Sequence, residues 1–203
     1  TVSQQQLGAR FVQPVGEGHE LALVAYTGRR QTFQVLSIPV FVQASPSSGG
    51  GVIDLDRDYR GFDARWRWQA TDTLSLVLGA SQERADETRL GFENFIGSQL
   101  GVVGALRRDE DNAVRSDDLY AQLDWRPTDR WRFNGGLRSS RVRFDSFDRY
   151  VRAGNPDDSG TRRYSRVSPV LGVLYRASER TSLYANAGRG FETPTFAELA
   201  YRS

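Results

Sequence analysis

Apolar and polar residues alternate along most of the chain, which is the pattern of β-strands with one buried face. In the window 74–81, one face carries only apolar residues and the other mostly small or polar ones. The same alternation recurs in windows 62–69, 119–126 and 167–176. It predicts eight strands, at residues 7–13, 19–36, 51–69, 74–87, 117–126, 130–144, 162–176 and 181–190.

The predicted connections are in large part alternately short and long. Short ones fall near residues 14–18, 70–73, 127–130 and 177–180, and long ones near 37–51, 88–116 and 145–161. This alternation is typical of outer-membrane barrels, whereas the connections of a water-soluble sandwich, the alternative, need not alternate. We therefore predict an all-β fold: an antiparallel transmembrane β-barrel segment of about eight strands.

One predicted strand, 130–144, changes the face that carries its apolar residues between Leu137 and Val142. A β-bulge would cause such a change, and so would an exit of the strand from the membrane band. Three strands also end alike, with Trp68, Trp125 or Tyr175 before a turn that contains a hydroxyl and an acidic residue. Aromatic residues at this position are typical of the girdle that anchors a barrel at the lipid headgroups.

The charges are balanced and dispersed. The 203 residues include 27 basic ones, all arginine, and 25 acidic ones, without a basic stripe of the kind that nucleic acids require. There is no cysteine and a single histidine, His19, which we interpret as a solvated turn residue. We expect no enzyme activity, no metal site and no cofactor.

Three aspartates, Asp54, Asp56 and Asp58, lie at alternate positions and would share one face of a strand. They could bind a hard cation through carboxylate oxygens. Because Arg57 and Arg60 lie among them, we favour a strand rim held by salt bridges.

Candidate ligand-binding residues are arginines and aromatic residues near the predicted long connections. The guanidinium group forms paired hydrogen bonds with anionic chelates, and aromatic side chains offer a surface to a planar ligand. The candidates are Arg57, Tyr59, Arg60, Phe95, Arg107, Arg108, Arg162 and Arg163.

The most specific motif lies near the end of the chain, in residues 188–199. Its residues follow the pattern G-x-x-F-x-x-P-[ST]-x-x-[DE]-L, which resembles a stretch of TonB-dependent outer-membrane receptors. The run 118–130 also resembles the strand and periplasmic turn of that family, and the similarity covers about residues 116–203. For the motif residues we expect a structural role: Gly190, Phe191, Pro194, Glu198 and Leu199.

The resemblance implies an outer-membrane receptor of a Gram-negative bacterium, with a plugged barrel of about 22 strands. Such receptors contact outer-membrane lipid and take up scarce nutrients, most often ferric siderophores, with energy relayed by the TonB protein. Because no plug and no terminal strands are evident, residues 1–203 are expected to be a partial barrel domain. A small closed barrel or passive porin is the alternative, and an enzyme built on a barrel rim is a third, although His19 is badly placed for catalysis.

Overall fold

The computed structural model describes residues 1–195, which form one extended antiparallel sheet. Eight long strands follow each other across it in chain order, and β5 and β6 form a separate small hairpin. The elements are β1 (Val2–Pro14), β2 (His19–Val35), α1 (Val40–Gln43), β3 (Val52–Thr71), β4 (Leu74–Phe92), β5 (Phe95–Ile96), β6 (Gln99–Leu100), β7 (Leu106–Thr128), β8 (Trp131–Asp148), β9 (Gly160–Ser178) and β10 (Thr181–Gly188). Within residues 1–195, no helix is long and apolar enough to cross a membrane.

All eight predicted strands are present, and most are longer than predicted. The largest difference is β7, which begins at Leu106, so most of the predicted long connection 88–116 is strand. Alternation did not reveal this part of the strand because it carries polar residues on both faces. The backbone ladder forms there nevertheless, since its hydrogen bonds do not depend on side-chain polarity. The remaining long connections are residues 36–51, 93–105 and 149–159, and three of the four short ones contain only two residues.

The ladders keep one register along nearly their whole length. Shifts occur only close to strand ends, such as those between Gln69 and Thr71 and between Trp125 and Thr128. Alternate residues therefore stay on one face from end to end of each strand. β8 has no bulge between Leu137 and Val142. The apolar residues change face there because the apolar part of the outward face ends at Leu137, and Val142 lies on the inward face.

One face, called outward here, carries an apolar belt near the short turns. Its members on the central strands are Phe62, Ala64, Trp66, Trp68, Leu74, Leu76, Leu78, Ala80, Leu119, Ala121, Leu123, Trp125, Trp131, Phe133, Leu137, Val167, Leu171, Val173 and Tyr175. Many stay exposed: Leu119 has 64% and Leu171 67% of its surface accessible. The opposite, inward face is polar at the same height, with Arg65, Arg67, Asp124 and Arg132 along one groove.

Aromatic rings form a row at the short-turn edge of this belt, as predicted. Trp131 contacts Phe133 and Tyr175, with centroid separations of 5.7 and 4.5 Å, and Trp125 lies 5.6 Å from Phe133. On β2 and β3, beyond β4, His19 stacks on Trp66 at 5.5 Å and its Nδ1 accepts a 3.2 Å hydrogen bond from the Trp66 indole. The interpretation of His19 as a solvated turn residue was therefore wrong, because the histidine belongs to the aromatic row.

Three tyrosine rings on the inward face each lie over a glycine of the neighbouring strand. The pairs are Tyr26 with Gly61, Tyr59 with Gly28, and Tyr120 with Gly79, and each pair is directly opposite in the ladder. A Cβ added at any of these glycines would lie only 2.2–2.4 Å from the ring.

Because the glycine leaves room, each hydroxyl reaches one strand further. The Tyr26 hydroxyl donates to Glu83 at 2.8 Å, that of Tyr120 donates to Asp63 at 2.8 Å, and that of Tyr59 contacts Gln4 and Gln6 at 2.9 and 3.0 Å. Each tyrosine thus links three strands of a sheet that has a single layer.

We expect Gly79→Ala to destabilise the full-length protein by about 1–3 kcal/mol, because its Cβ overlaps the ring of Tyr120. Tyr120→Phe keeps the ring and loses only the bond to Asp63, so its cost should be nearer about 1 kcal/mol. Urea unfolding midpoints measure both. Gly160→Ala is the control, since nothing lies within 4 Å of its added Cβ. Equal effects of the alanine changes at residues 79 and 160 would contradict the steric account.

Candidate ligand-binding rim

On the inward face, between the level of the apolar belt and the long connections, four polar side chains form a row across neighbouring strands. Arg57, Glu87, Asn112 and Ser146 lie opposite one another on β3, β4, β7 and β8. Arg57 Nε donates to Glu87 Oε2 at 2.8 Å, and the Glu87 side chain is 4% exposed while that of Arg57 is 40% exposed. The pair therefore neutralises a buried carboxylate and leaves part of the guanidinium available on the surface.

Asn112, beside this ion pair, is 4% exposed. Its amide nitrogen donates to Glu110 Oε2 at 3.4 Å, whereas its Oδ1 is buried and has no hydrogen-bond partner within residues 1–195. A buried acceptor without a donor is costly, so the row offers an acceptor to a water molecule or to a ligand group that carries an N–H or O–H.

The first two long connections are joined by one amide pair. Gln43 Nε2 donates to Asn94 Oδ1 at 2.7 Å, and the backbone N–H of Asn94 donates to Gln43 Oε1 at 3.2 Å. Asn94 Nδ2 also donates to the carbonyls of Leu36 and Ile38 at 2.7 and 3.1 Å. Gln43 is fully buried, and so the pair fixes residues 36–51 against residues 93–105.

Arg107 and Arg108, both predicted as ligand residues, form contacts at the same place. Arg107 donates to the carbonyls of Ser45 and Ser48 and lies 3.3 Å from Glu93 Oε1. Arg108 forms a 3.3 Å ion pair with Glu110. In this arrangement Arg107 holds the connections together, and a ligand would have to displace it from three partners.

The other predicted ligand residues divide between the two faces. Tyr59 and Arg162 share the inward face with Arg57, whereas Arg60 and Arg163 lie on the outward face of the same strands. Phe95 belongs to the β5–β6 hairpin, opposite Leu100. The structure thus brings Arg57, Arg108 and Arg162 to one side of the sheet, and their role in binding stays a prediction.

Asp54, Asp56 and Asp58 do share one face, as predicted, but the predicted partner Arg57 lies on the other. Asp56 instead pairs with Arg29 of β2, whose Nε lies 2.8 Å from Oδ1. Gln31 of β2 donates to the same carboxylate at 3.0 Å. Within residues 1–195 no group of three or more acidic or histidine side chains could hold a metal ion.

The motif near the end of the chain is described only in part. Gly190, Phe191 and Pro194 follow β10 without regular secondary structure. Glu198 and Leu199 lie outside the described residues. The predicted structural role of the motif stays a prediction.

Beyond the apolar belt, Asp111 of β7 binds the start of the third long connection. The hydrogen bond that Arg149 donates holds the pKa of Asp111 below its ordinary value. Partial burial raises this pKa, whereas a 3.0 Å hydrogen bond from the Thr88 hydroxyl lowers it further. Arg149 also lies 3.7 Å from Asp109, and its own pKa is raised, chiefly by the bond to Asp111.

These features define a class of protein. A single-layer antiparallel sheet with an apolar belt on one face, a polar opposite face and short turns at one end is the wall of an outer-membrane type β-barrel. The chain belongs to the TonB-dependent receptor-like β-barrel family, whose model matches residues 10–203.

Solved structures share this fold. The copper transporter OprC superposes with a TM-score of 0.75 at 19% identity, over 95% of this chain and 31% of its own. The ferric-catecholate import receptor Fiu from E. coli K12 gives 0.65 at 11% identity, over 92% and 35%. The ferric citrate transporter FecA gives 0.64 at 14% identity, over 90% and 26%. The chain spans about a quarter to a third of the length of these proteins.

We expect Asn94→Ala to loosen both connections, because it removes the side-chain bond to Gln43 Nε2 and the bonds to the carbonyls of Leu36 and Ile38, at a cost of about 1–3 kcal/mol. Hydrogen exchange should speed up in residues 36–51 and 93–105 together. Gln99→Ala, an exposed change on β6, is the control. Faster exchange in only one of the two segments would contradict a shared link.

We expect acid to release the third connection. The folded pKa of Asp111 is depressed, so its stabilising contact is complete above the ordinary carboxyl pKa of about 3.9 and is lost as the pH falls through the folded value. Pepsin should therefore cut residues 149–159 increasingly fast, relative to an unfolded reference peptide, as the pH falls below about 3.9, while the relative rate for Asp111→Asn should be high throughout and independent of pH. Asp129→Asn, in a short turn, is the control. Cleavage of Asp111→Asn that still depends on pH in the wild-type manner would refute the assignment.

Proposed function

We propose that the protein containing this chain is a TonB-dependent receptor that takes up a scarce nutrient across the outer membrane of a Gram-negative bacterium. Residues 1–203 would be part of its barrel domain, and its partners would be outer-membrane lipid, the TonB protein and the nutrient. Family membership supports the receptor class. The single structural observation in favour of ligand capture is the charged inward rim, above which two connections are fixed to each other.

A ferric siderophore is the cargo we favour. Such chelates are commonly anionic, and arginine binds carboxylate-type oxygens through two parallel hydrogen bonds. Arg57, whose side chain is 40% exposed, and Arg162, an exposed residue, lie on the inward face, and Oδ1 of Asn112 would accept a hydrogen bond from a ligand N–H or O–H. The ferric-catecholate receptor Fiu and the ferric citrate transporter FecA share the fold, as does the copper transporter OprC, which makes a copper complex the competing cargo.

The test is uptake by cells that carry or lack the gene. Cells with the gene should accumulate radioactive iron from one class of ferric siderophore, and loss of either the gene or TonB should abolish accumulation. Uptake of copper instead of iron would overturn the siderophore assignment and keep the receptor class. Uptake that continues without TonB would point to the passive porin.

Within the receptor, Arg162→Gln tests the rim. We expect it to weaken siderophore binding about tenfold, as the loss of one charge-assisted hydrogen bond does. Arg141→Gln on β8 is the control, since Arg141 lies on the outward face. The measurement is the siderophore dissociation constant of the purified full-length receptor. If Arg162→Gln binds with wild-type affinity, Arg162 does not belong to the binding site.

A further inference from the structure

The first and third long connections touch each other where the ring of Pro46 lies against the backbone of Gly154. A Cβ added at Gly154 would lie 2.9 Å from both Cβ and Cγ of Pro46. Gly154 also has a φ of +80°, in the left-handed region that favours glycine. Position 154 therefore needs glycine for two reasons, its backbone conformation and the close approach of Pro46.

This contact spans a wide gap in the sheet. The first connection joins β2 to β3 and the third joins β8 to β9, with β4 and β7 between them. From β3 to β8 there are three strand spacings of about 4.8 Å each, or about 14 Å in all. The first connection therefore reaches across the ends of β4 and β7 to meet the third.

The crossing takes place on the inward side of the sheet. Gly91 of β4 and Arg108 of β7 lie opposite each other at inward positions. A Cβ added at Gly91 would lie 2.3 Å from the carbonyl oxygen of Gly49, and one added at Gly49 would lie 3.1 Å from Arg108 Nε. Residues 43–49, called the crossing strut here, thus lie over the inward side of these strand ends.

The crossing strut is firmly held around its contact point. Arg107 donates to the carbonyls of Ser45 and Ser48, which lie on either side of Pro46 in the chain. The buried amide pair described above fixes the beginning of the strut to the second connection. Because proline fixes its own φ, Pro46 has little freedom to move between these anchors.

The third connection is stiff as well. The backbone groups of Arg152 and Asn155 exchange two hydrogen bonds, of 3.0 and 2.9 Å, on either side of Gly154. Asn155 Nδ2 also donates to the carbonyl of Tyr150 at 2.7 Å, and Tyr150 is buried. Gly154 therefore cannot move far unless the rest of the connection moves with it.

We propose that the crossing strut couples the three long connections into one unit, and that the ion pair of Asp111 with Arg149 on the outward face controls this unit. Packed side chains and rigid segments carry coupling between distant sites. A contact between two stiff segments transmits a displacement, because neither segment can absorb it. Loss of the ion pair would free the third connection, withdraw Gly154 from Pro46 and so loosen the first two connections.

The coupling would also reach the ligand-binding rim. The strut packs on Arg108, which forms a 3.3 Å ion pair with Glu110. Glu110 in turn accepts a 3.4 Å hydrogen bond from Asn112 of the polar row. An ion pair on the outward face would thereby regulate a site on the inward face. This regulation of the rim rests on the function proposed above, whereas the coupling of the connections does not depend on it.

The test is hydrogen exchange of the purified full-length receptor in detergent, without siderophore. We expect Asp111→Asn to speed exchange in residues 149–159 about tenfold, as the loss of one charge-assisted hydrogen bond does. In residues 36–51 and 93–105, exchange should become at least about fivefold faster, which is the lower end of ordinary coupling between sites.

Pro46→Ala separates transmission through the strut from general loosening, because it removes the ring that faces Gly154 and leaves the ion pair intact. In this background Asp111→Asn should still speed exchange in residues 149–159, but no longer in the other two connections. Pro156→Ala, a change at an exposed proline of the third connection, is the matched control. In the control background Asp111→Asn should still act on all three connections.

Faster exchange that is confined to residues 149–159 in the Asp111→Asn receptor would overturn the proposal. An effect on the first two connections that persists in Pro46→Ala would overturn it as well. If Asp111→Asn does not fold, Arg149→Gln removes the same ion pair from the other side and should give the same pattern. Siderophore and TonB are absent from these measurements, so a failure of coupling can be told apart from a failure of nutrient uptake.

Discussion

The structure depends on the unbroken register of its antiparallel ladders. In strands of up to 23 residues, the shifts lie only near the ends, so a side chain's face is set by whether its position is odd or even. This constraint keeps the apolar belt on one face, and Arg57, Asn112 and Arg162 on the other. A single bulge in the middle of a strand would exchange the two faces beyond it.

A sheet with one layer has little core to hold it together, and only four hydrophobic side chains among residues 1–195 are buried. Cross-strand contacts replace the core. A tyrosine can link three strands only where its neighbour is glycine, and the pairs of Tyr26 with Gly61 and Tyr120 with Gly79 meet this condition. The links lie on the polar face, since an unpaired hydroxyl would be costly on the apolar one.

The sequence predicted the strands best where one face was apolar. Near Leu74 and Leu119 alternation identifies the strand, and the short turns and aromatic row follow from it. Beyond the belt this signal is lost, so residues 106–116 were assigned to a connection although they are strand. The partner of Asp56 was missed for a related reason: Arg29 lies 27 residues away and is opposite the acidic strand only in the ladder.

The amide pair of Gln43 and Asn94 could not have been predicted either, because neither residue belongs to a motif and they are 51 residues apart. Strand order supplies what the sequence lacks. β2, β3 and β4 are neighbouring antiparallel strands, so the connections 36–51 and 93–105, which follow β2 and β4, leave the sheet at the same end and meet there. Arg107, placed just after the second connection, then reaches the carbonyls of Ser45 and Ser48 in the first. An arginine near a loop is therefore weak evidence for ligand contact in this fold, since the same donors serve to hold the loops. The inward arginines that leave part of their guanidinium uncommitted are the stronger candidates.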